Sequence, residues 1–171
     1  MPEGRSLFGK FYPTKEIASA YDIPYEEYFK SGKRGIIYDI DNTLVMHGAP
    51  ADERSIELFE KLRRIGYKTV LLSNNREERV RPFAEAVGSA YLYKAAKPAK
   101  KGYEEAMRMM GTDASGTLFV GDQLFTDIWG ANRTGIETVL TTPIDPREEI
   151  QIILKRRLEW IVLKEYHKNK V

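Results

Sequence analysis

Between Gly35 and Leu140 the chain repeats one pattern: a short apolar run, a polar turn, then an amphipathic stretch. The apolar runs are Gly35–Ile40, Thr69–Leu72, Ala90–Tyr93, Thr117–Val120 and Thr138–Leu140. Their length and the turn residues around them predict strands. The stretches between them predict helices over 52–65, 77–87, 100–110 and 126–134, the first three stopped by Gly66, Gly88 and Gly111. Ile56, Leu58, Phe59 and Leu62 give the first of these helices an inward face. Strands that alternate with helices pair through crossovers, so the expected fold is α/β: a parallel sheet with helices on both faces, in three layers.

The 171 residues suit one domain with a substantial core, expected to span 1–171. Net charge is +2, so the overall balance requires neither nucleic acid nor a membrane. The absence of cysteine excludes disulfides, thiolate zinc sites and a cysteine nucleophile. Met1-Pro2-Glu3-Gly4-Arg5 lacks the basic start of a signal peptide, and no apolar run is long enough to span a bilayer. The expectation is a soluble, cytoplasmic protein, with peripheral contact to the inner membrane face and oligomerisation both open.

Residues 1–31 carry Phe8, Phe11, Tyr12, Tyr21, Tyr25, Tyr28 and Phe29. A helix over 15–20 capped by Thr14 is expected there, with a second helical turn starting at Pro24. The aromatics read as a lid packed on the sheet edge or as a binding surface. At the other end, 146–166 predicts a long basic helix with Ile150, Ile153, Leu154, Leu158, Ile161 and Val162 in one stripe. That stripe either packs on the sheet or a partner subunit, or it meets anionic lipid.

In an open parallel sheet, ligands bind beyond the carboxyl ends of the strands. The first strand ends in Asp39 and Asp41, which alternation points the same way, and two like charges there call for a cation, a shared proton or a reaction. The second strand ends in Ser73 and Asn74, the third leads to Lys97 before Pro98, and the fourth leads to Asp122 and Asp127. Singly, each has a structural reading: a turn, an N-cap, a solvated lysine run with Lys94, Lys100 and Lys101, a capping acid. His47 reads as a substrate contact or a plain loop histidine. Together on one rim they suit phosphoryl transfer. A carboxylate attacks phosphate only when charge is neutralised, and Mg²⁺ on hard oxygens does this. Asp39 and Asp122 are the ligand candidates, with the Asp41 carbonyl and support from Asp127. Lys97 is a point charge on phosphate and nucleophile. Ser73, with Asn74 and Thr43, is placed on the substrate side. Asp39 is then the nucleophile, and Asp41 the acid that protonates the leaving oxygen and later activates water.

The segments Asp39-Ile40-Asp41-Asn42-Thr43-Leu44, Ser73-Asn74-Asn75, Lys97-Pro98 and Gly121-Asp122-Gln123-Leu124-Phe125-Thr126-Asp127 resemble, in order, the four motifs of the haloacid dehalogenase-like (HAD) phosphatases. The chain is similar to the YqeG group of subfamily IIIA, which includes phosphatidylglycerophosphate phosphatases. The resemblance implies a Rossmann-like HAD core and a Mg²⁺-dependent phosphomonoesterase acting through an aspartyl-phosphate. Leu44 to Thr69 and Asn75 to Lys97 each leave room for little more than one helix, so no cap domain is expected. An uncapped site suits phosphate carried on something large, such as a lipid headgroup. The alternatives are a phosphatase for a soluble small molecule or a phosphoprotein, a phosphoaspartate receiver-like binding module, and a scaffold acting through the aromatic segment and last helix.

Overall fold

The computed structural model describes residues 6–145 and 150–170. Six strands form one parallel sheet in the order β1-β6-β5-β2-β3-β4. They are β1 (Lys15–Glu16), β2 (Gly35–Tyr38), β3 (Lys68–Leu72), β4 (Ala90–Leu92), β5 (Thr117–Gly121) and β6 (Glu137–Leu140). The helices are α1 (Tyr25–Lys30), α2 (Glu53–Ile65), α3 (Glu77–Val87), α4 (Lys100–Met110), α5 (Trp129–Arg133) and α6 (Ile150–Lys168). Between β2 and β3 the chain builds only α2 and its loops, and between β3 and β4 only α3.

Strand alternation divides the core into two layers. Ile36, Tyr38, Leu71, Leu118 and Val120 face α2 and α3, where they meet Phe59, Leu62, Val80 and Phe83. Ile37, Val70, Leu72 and Phe119 face α4 and α5, against Tyr103, Ala106, Met110 and Ala131. Gly130 permits that second contact, because a Cβ there would lie 2.4 Å from the Tyr103 hydroxyl. Asp52 caps α2 by accepting the Ser55 N–H at 2.8 Å, and Gly66 closes the helix in the left-handed region.

The N-terminal segment corrects one expectation. Residues 15–20 are not a helix: Lys15 and Glu16 pair in parallel with β6 as the edge strand. Thr14, the expected cap, instead exchanges hydrogen bonds with Thr138, accepting the Thr138 N–H at 3.1 Å and donating its own N–H to Thr138 Oγ1 at 2.9 Å. The aromatics do pack inward. Tyr38 donates to the Tyr25 hydroxyl at 2.6 Å, and Tyr25 donates to the Ala20 carbonyl at 2.6 Å.

In the last helix most of the expected stripe does not pack on the sheet, which leaves a partner subunit or anionic lipid as its readings. Residues 146–149 and the side chains of 150–152 lie outside those described, so Ile150 of the expected stripe cannot be placed. Val162 of that stripe is buried with Tyr166 and Glu159, but Ile153, Leu154, Leu158 and Ile161 are 40–57% exposed. The helix is turned by its inward anchors: Val162 and Leu163 pack with Leu124, Ile128, Leu140, Phe8 and Phe11, while Arg156 and Glu159 bond the loop after β5. Among the described residues no helix is long and apolar enough to cross a membrane.

Candidate active site

Strand β2 lies between β3 and β5, where the chain order reverses, and a crevice opens there at the carboxyl ends. A cavity of about 340 Å³ occupies it, lined among others by Asp39, Asp41, Ser73, Asn74, Lys97 and Asp127. His47 also reaches this cavity, as does Lys155 from α6.

Past Tyr38 the chain turns back tightly: Asn42 adopts a left-handed conformation (φ 61°), and its N–H bonds the Val45 carbonyl at 2.8 Å. The turn leaves Asp39 and Asp41 on the same cavity but with separate cations. Lys97 Nζ donates to Asp39 at 2.8 Å and to Asp127 at 2.7 Å, all three side chains being buried. Asp41 instead accepts the Gly48 N–H at 2.8 Å and Arg79 Nη2 at 2.9 Å.

Asp39, Asp122 and Asp127 bring carboxylate oxygens within 4.8 Å of one another. Thr43 Oγ1 lies between the first two, 3.2 Å from each. Asp127 is bent back onto its own loop, its second oxygen accepting the N–H groups of Asp122 and Gln123 at 3.2 and 3.1 Å. A five-residue π turn over Leu124–Ile128 makes that bend, where a regular helix over 126–134 was expected. Gly121 makes room for it, since a Cβ there would lie 2.7 Å from Asp127 Oδ2.

The electrostatics follow from this packing. Burial, then the charge of Asp127, push the Asp39 carboxyl up to about 6 against the opposing pull of Lys97. Burial and the charges of Asp39 and Asp127 hold Asp122 well above the usual carboxylate range, with Arg156 opposing. Burial alone would lower Lys97, but Asp127 and Asp39 outweigh it and raise the ammonium above its ordinary value. Burial would also raise Asp41, yet the Gly48 N–H and Arg79 prevail and keep it low. Once ionised, three carboxylates facing Lys97 and Arg156 carry an excess of negative charge. An all-oxygen donor set with that excess could hold a hard divalent cation.

Two expected substrate contacts have other work. Thr43 is buried between carboxylates rather than exposed to the cavity. Asn74 grips the backbone of Lys97 from both sides, accepting its N–H at 2.7 Å and donating to its carbonyl at 3.1 Å. Ser73 does line the cavity, and its hydroxyl oxygen accepts the Asn75 N–H at 3.1 Å. The side chain of Asp41 stands outside the acidic trio. Sequence reasoning missed Arg79, Lys155 and Arg156. For Arg156 a signal existed, an Arg-x-x-Glu pair at i,i+3 with Glu159.

Comparison with known proteins shows the family. The family model for haloacid dehalogenase-like hydrolases matches residues 47–135. "Probable phosphatase YqeG" of Bacillus subtilis is 36% identical over 90% of each chain. "Phosphatidylglycerophosphate phosphatase 1, chloroplastic/mitochondrial" of Arabidopsis thaliana is 31% identical over 84% of this chain, which spans only 44% of that longer protein. A solved structure described as a HAD subfamily III A hydrolase from Legionella pneumophila superposes with a TM-score of 0.54 at 16% identity, over 71% of this chain and 72% of that one, and shares the fold. With an acid-lined crevice at the switch point and relatives matched along nearly its whole length, the chain belongs to the haloacid dehalogenase-like hydrolase family and is a phosphatase of that family.

Proposed function

We propose that the chain hydrolyses phosphoric monoesters by passing the phosphoryl group first to Asp39 and then to water, with Mg²⁺ held by Asp39 and Asp122. The observation that carries this reading is the buried meeting of Asp39, Asp122, Asp127 and Lys97 beside an open cavity. The Asp41 carbonyl is the further donor toward the cation, and Asp127 supports from the loop. Bound there, Mg²⁺ supplies the positive charge that lets one anion approach another.

Lys97 spends two of its three protons on Asp39 and Asp127 and has one for a phosphate oxygen. The Ser73 hydroxyl, already accepting the Asn75 N–H, donates to another. Asp39 attacks phosphorus, the ester P–O bond breaks, and the leaving oxygen takes a proton from Asp41. Asp41 then removes a proton from water, whose oxygen attacks the aspartyl-phosphate and frees Asp39 and phosphate. At rest Arg79 keeps Asp41 ionised, which suits the water step and requires Asp41 to gain a proton before the first. Arg79→Met is therefore expected to move the acidic limb of the kcat–pH profile upward, since loss of the guanidinium raises the pKa that must be crossed to ionise Asp41. A limb that stays in place would exclude Asp41 as the titrating base.

For the substrate we favour a phosphate on a lipid headgroup. Only α2 and its loops stand between β2 and β3, so little covers the cavity on that side. Lys155 of α6 reaches the cavity, and the outward side of the same helix exposes Ile153, Leu154, Leu158 and Ile161 beside Arg157 and Lys164. Basic helices with an open apolar face suit anionic lipid surfaces. The name of the Arabidopsis relative supports the same substrate class. Phosphate release is to be measured from phosphatidylglycerophosphate in mixed micelles and from p-nitrophenyl phosphate, with Mg²⁺ or with EDTA. EDTA is expected to slow both by about 100-fold or more, Mg²⁺ to restore them, and the lipid to be the better substrate. Undiminished rates in EDTA overturn the metal assignment. A clear preference for soluble esters or phosphoproteins removes the lipid alone.

A further inference from the structure

We propose that Arg156 is a positioning residue for the carboxylate of Asp122, which makes α6 a working part of the catalytic centre; this rests on the reading that Asp122 holds the divalent cation. The two oxygens of Asp122 have separate surroundings. Oδ1 lies 3.2 Å from Thr43 Oγ1, on the side of Asp39. Oδ2 accepts Arg156 Nη2 at 2.5 Å. The other arm of the guanidinium donates to the Asp122 carbonyl at 2.5 Å and to Glu159 Oε2 at 3.1 Å. Glu159 in turn accepts the Leu124 N–H at 2.9 Å with its second oxygen. One face of α6 thus grips the loop after β5 at two points, through residues three apart on the helix.

The burial makes this more than a surface pair. The Asp122 side chain is 0% exposed and that of Glu159 is 5% exposed. A buried charge is retained only when paired and hydrogen-bonded, and each carboxylate here has both. The planar fork of arginine engages the carboxylate and carbonyl of one residue together, which the point charge of lysine cannot do. With one oxygen and the backbone both tied from behind, the other oxygen stays aimed at the acidic trio. Partners of this outer kind orient ligands, and losing one costs about 10–100-fold in metal affinity.

The test uses the full chain with Arg156→Met and Arg156→Lys, and Lys168→Ala at the exposed end of α6 as the control. Mg²⁺ affinity is read by calorimetry and by the metal-induced rise in unfolding temperature. The expected result is a 10–100-fold weaker Kd in Arg156→Met, a smaller loss in Arg156→Lys, and the parent's affinity in Lys168→Ala. With p-nitrophenyl phosphate, the Mg²⁺ concentration for half-maximal rate is expected to rise in step, while kcat at saturating Mg²⁺ changes far less. If Arg156→Met does not fold, Arg156→Lys decides. Folded variants that bind Mg²⁺ as tightly as the parent overturn the proposal. Asp122→Asn separates the two levels: if it too binds Mg²⁺ normally, the metal-site reading falls, whereas weak binding in Asp122→Asn with normal binding in both Arg156 variants removes the role of Arg156 alone.

Discussion

Asp39→Asn is expected to abolish phosphate release and, in the metal-free protein at neutral pH, to raise the unfolding temperature. Loss of a nucleophile leaves only positioning and electrostatics, so the rate should fall by about 10⁴-fold or more. Stability moves the other way. Asp39 ionises near 6 in the fold against 3.8 for the free side chain, because burial and Asp127 resist its charge more than Lys97 favours it. An acid whose folded pKa is raised contributes stability that is present below its unfolded value and is lost as pH climbs through the folded one. The metal-free parent should therefore lose stability between about pH 4 and pH 6, on the order of 2–3 kcal/mol at about 1.4 kcal/mol per unit. The amide has no charge to accommodate and lacks that slope. Thermal unfolding in EDTA at pH 5 and pH 8 measures both proteins. An Asn variant less stable than the parent at pH 8 would contradict the account of the site.

Lys97→Met should do the opposite to stability and be equally damaging to activity. The lysine is the cation shared by Asp39 and Asp127, and its side chain is 4% exposed. Removing one partner of a buried pair strands the other, at a cost of about 3–5 kcal/mol, and here two carboxylates are stranded. The rate should fall by about 10³-fold or more, since the phosphate loses the Lys97 ammonium while Asp39 loses the bond that orients it. Combining Lys97→Met with Asp39→Asn should recover part of the lost stability, because groups in contact are not additive. A Lys97→Met protein that unfolds within a degree or so of the parent, measured without metal, would mean that the acids are neutral in the fold.

The residues of the fold and site were unequally legible in the sequence. The strands from β2 to β6 and the helices α2, α3 and α4 could be read from hydrophobic period and glycine stops because those signals are local, whereas the π turn before α5 could not. Asp39, Ser73, Lys97 and Asp122 stood out because topology alone sends strand ends to one rim. The two-residue β1 has no period of its own and exists by pairing with β6. Thr43 and Asn74 belong to the right segments, yet which group each side chain bonds depends on loops that meet only in three dimensions. The partners of Asp41 and Asp122, Arg79 and Arg156, lie 38 and 34 residues away. For α6 the apolar stripe does not mark the face that packs on the sheet, because Arg156, Glu159 and Val162 hold another face of the helix to the body of the protein.

The reluctance of Asp39 and Asp122 to ionise has a consequence for the proposed metal loading. Burial and neighbouring acids make both Asp39 and Asp122 hold on to protons, and on the proposed reading those protons must depart as the divalent ion enters. Filling the proposed site would then be an exchange in which acidity competes with occupancy, so a drop in pH is expected to empty it with every side chain still in place.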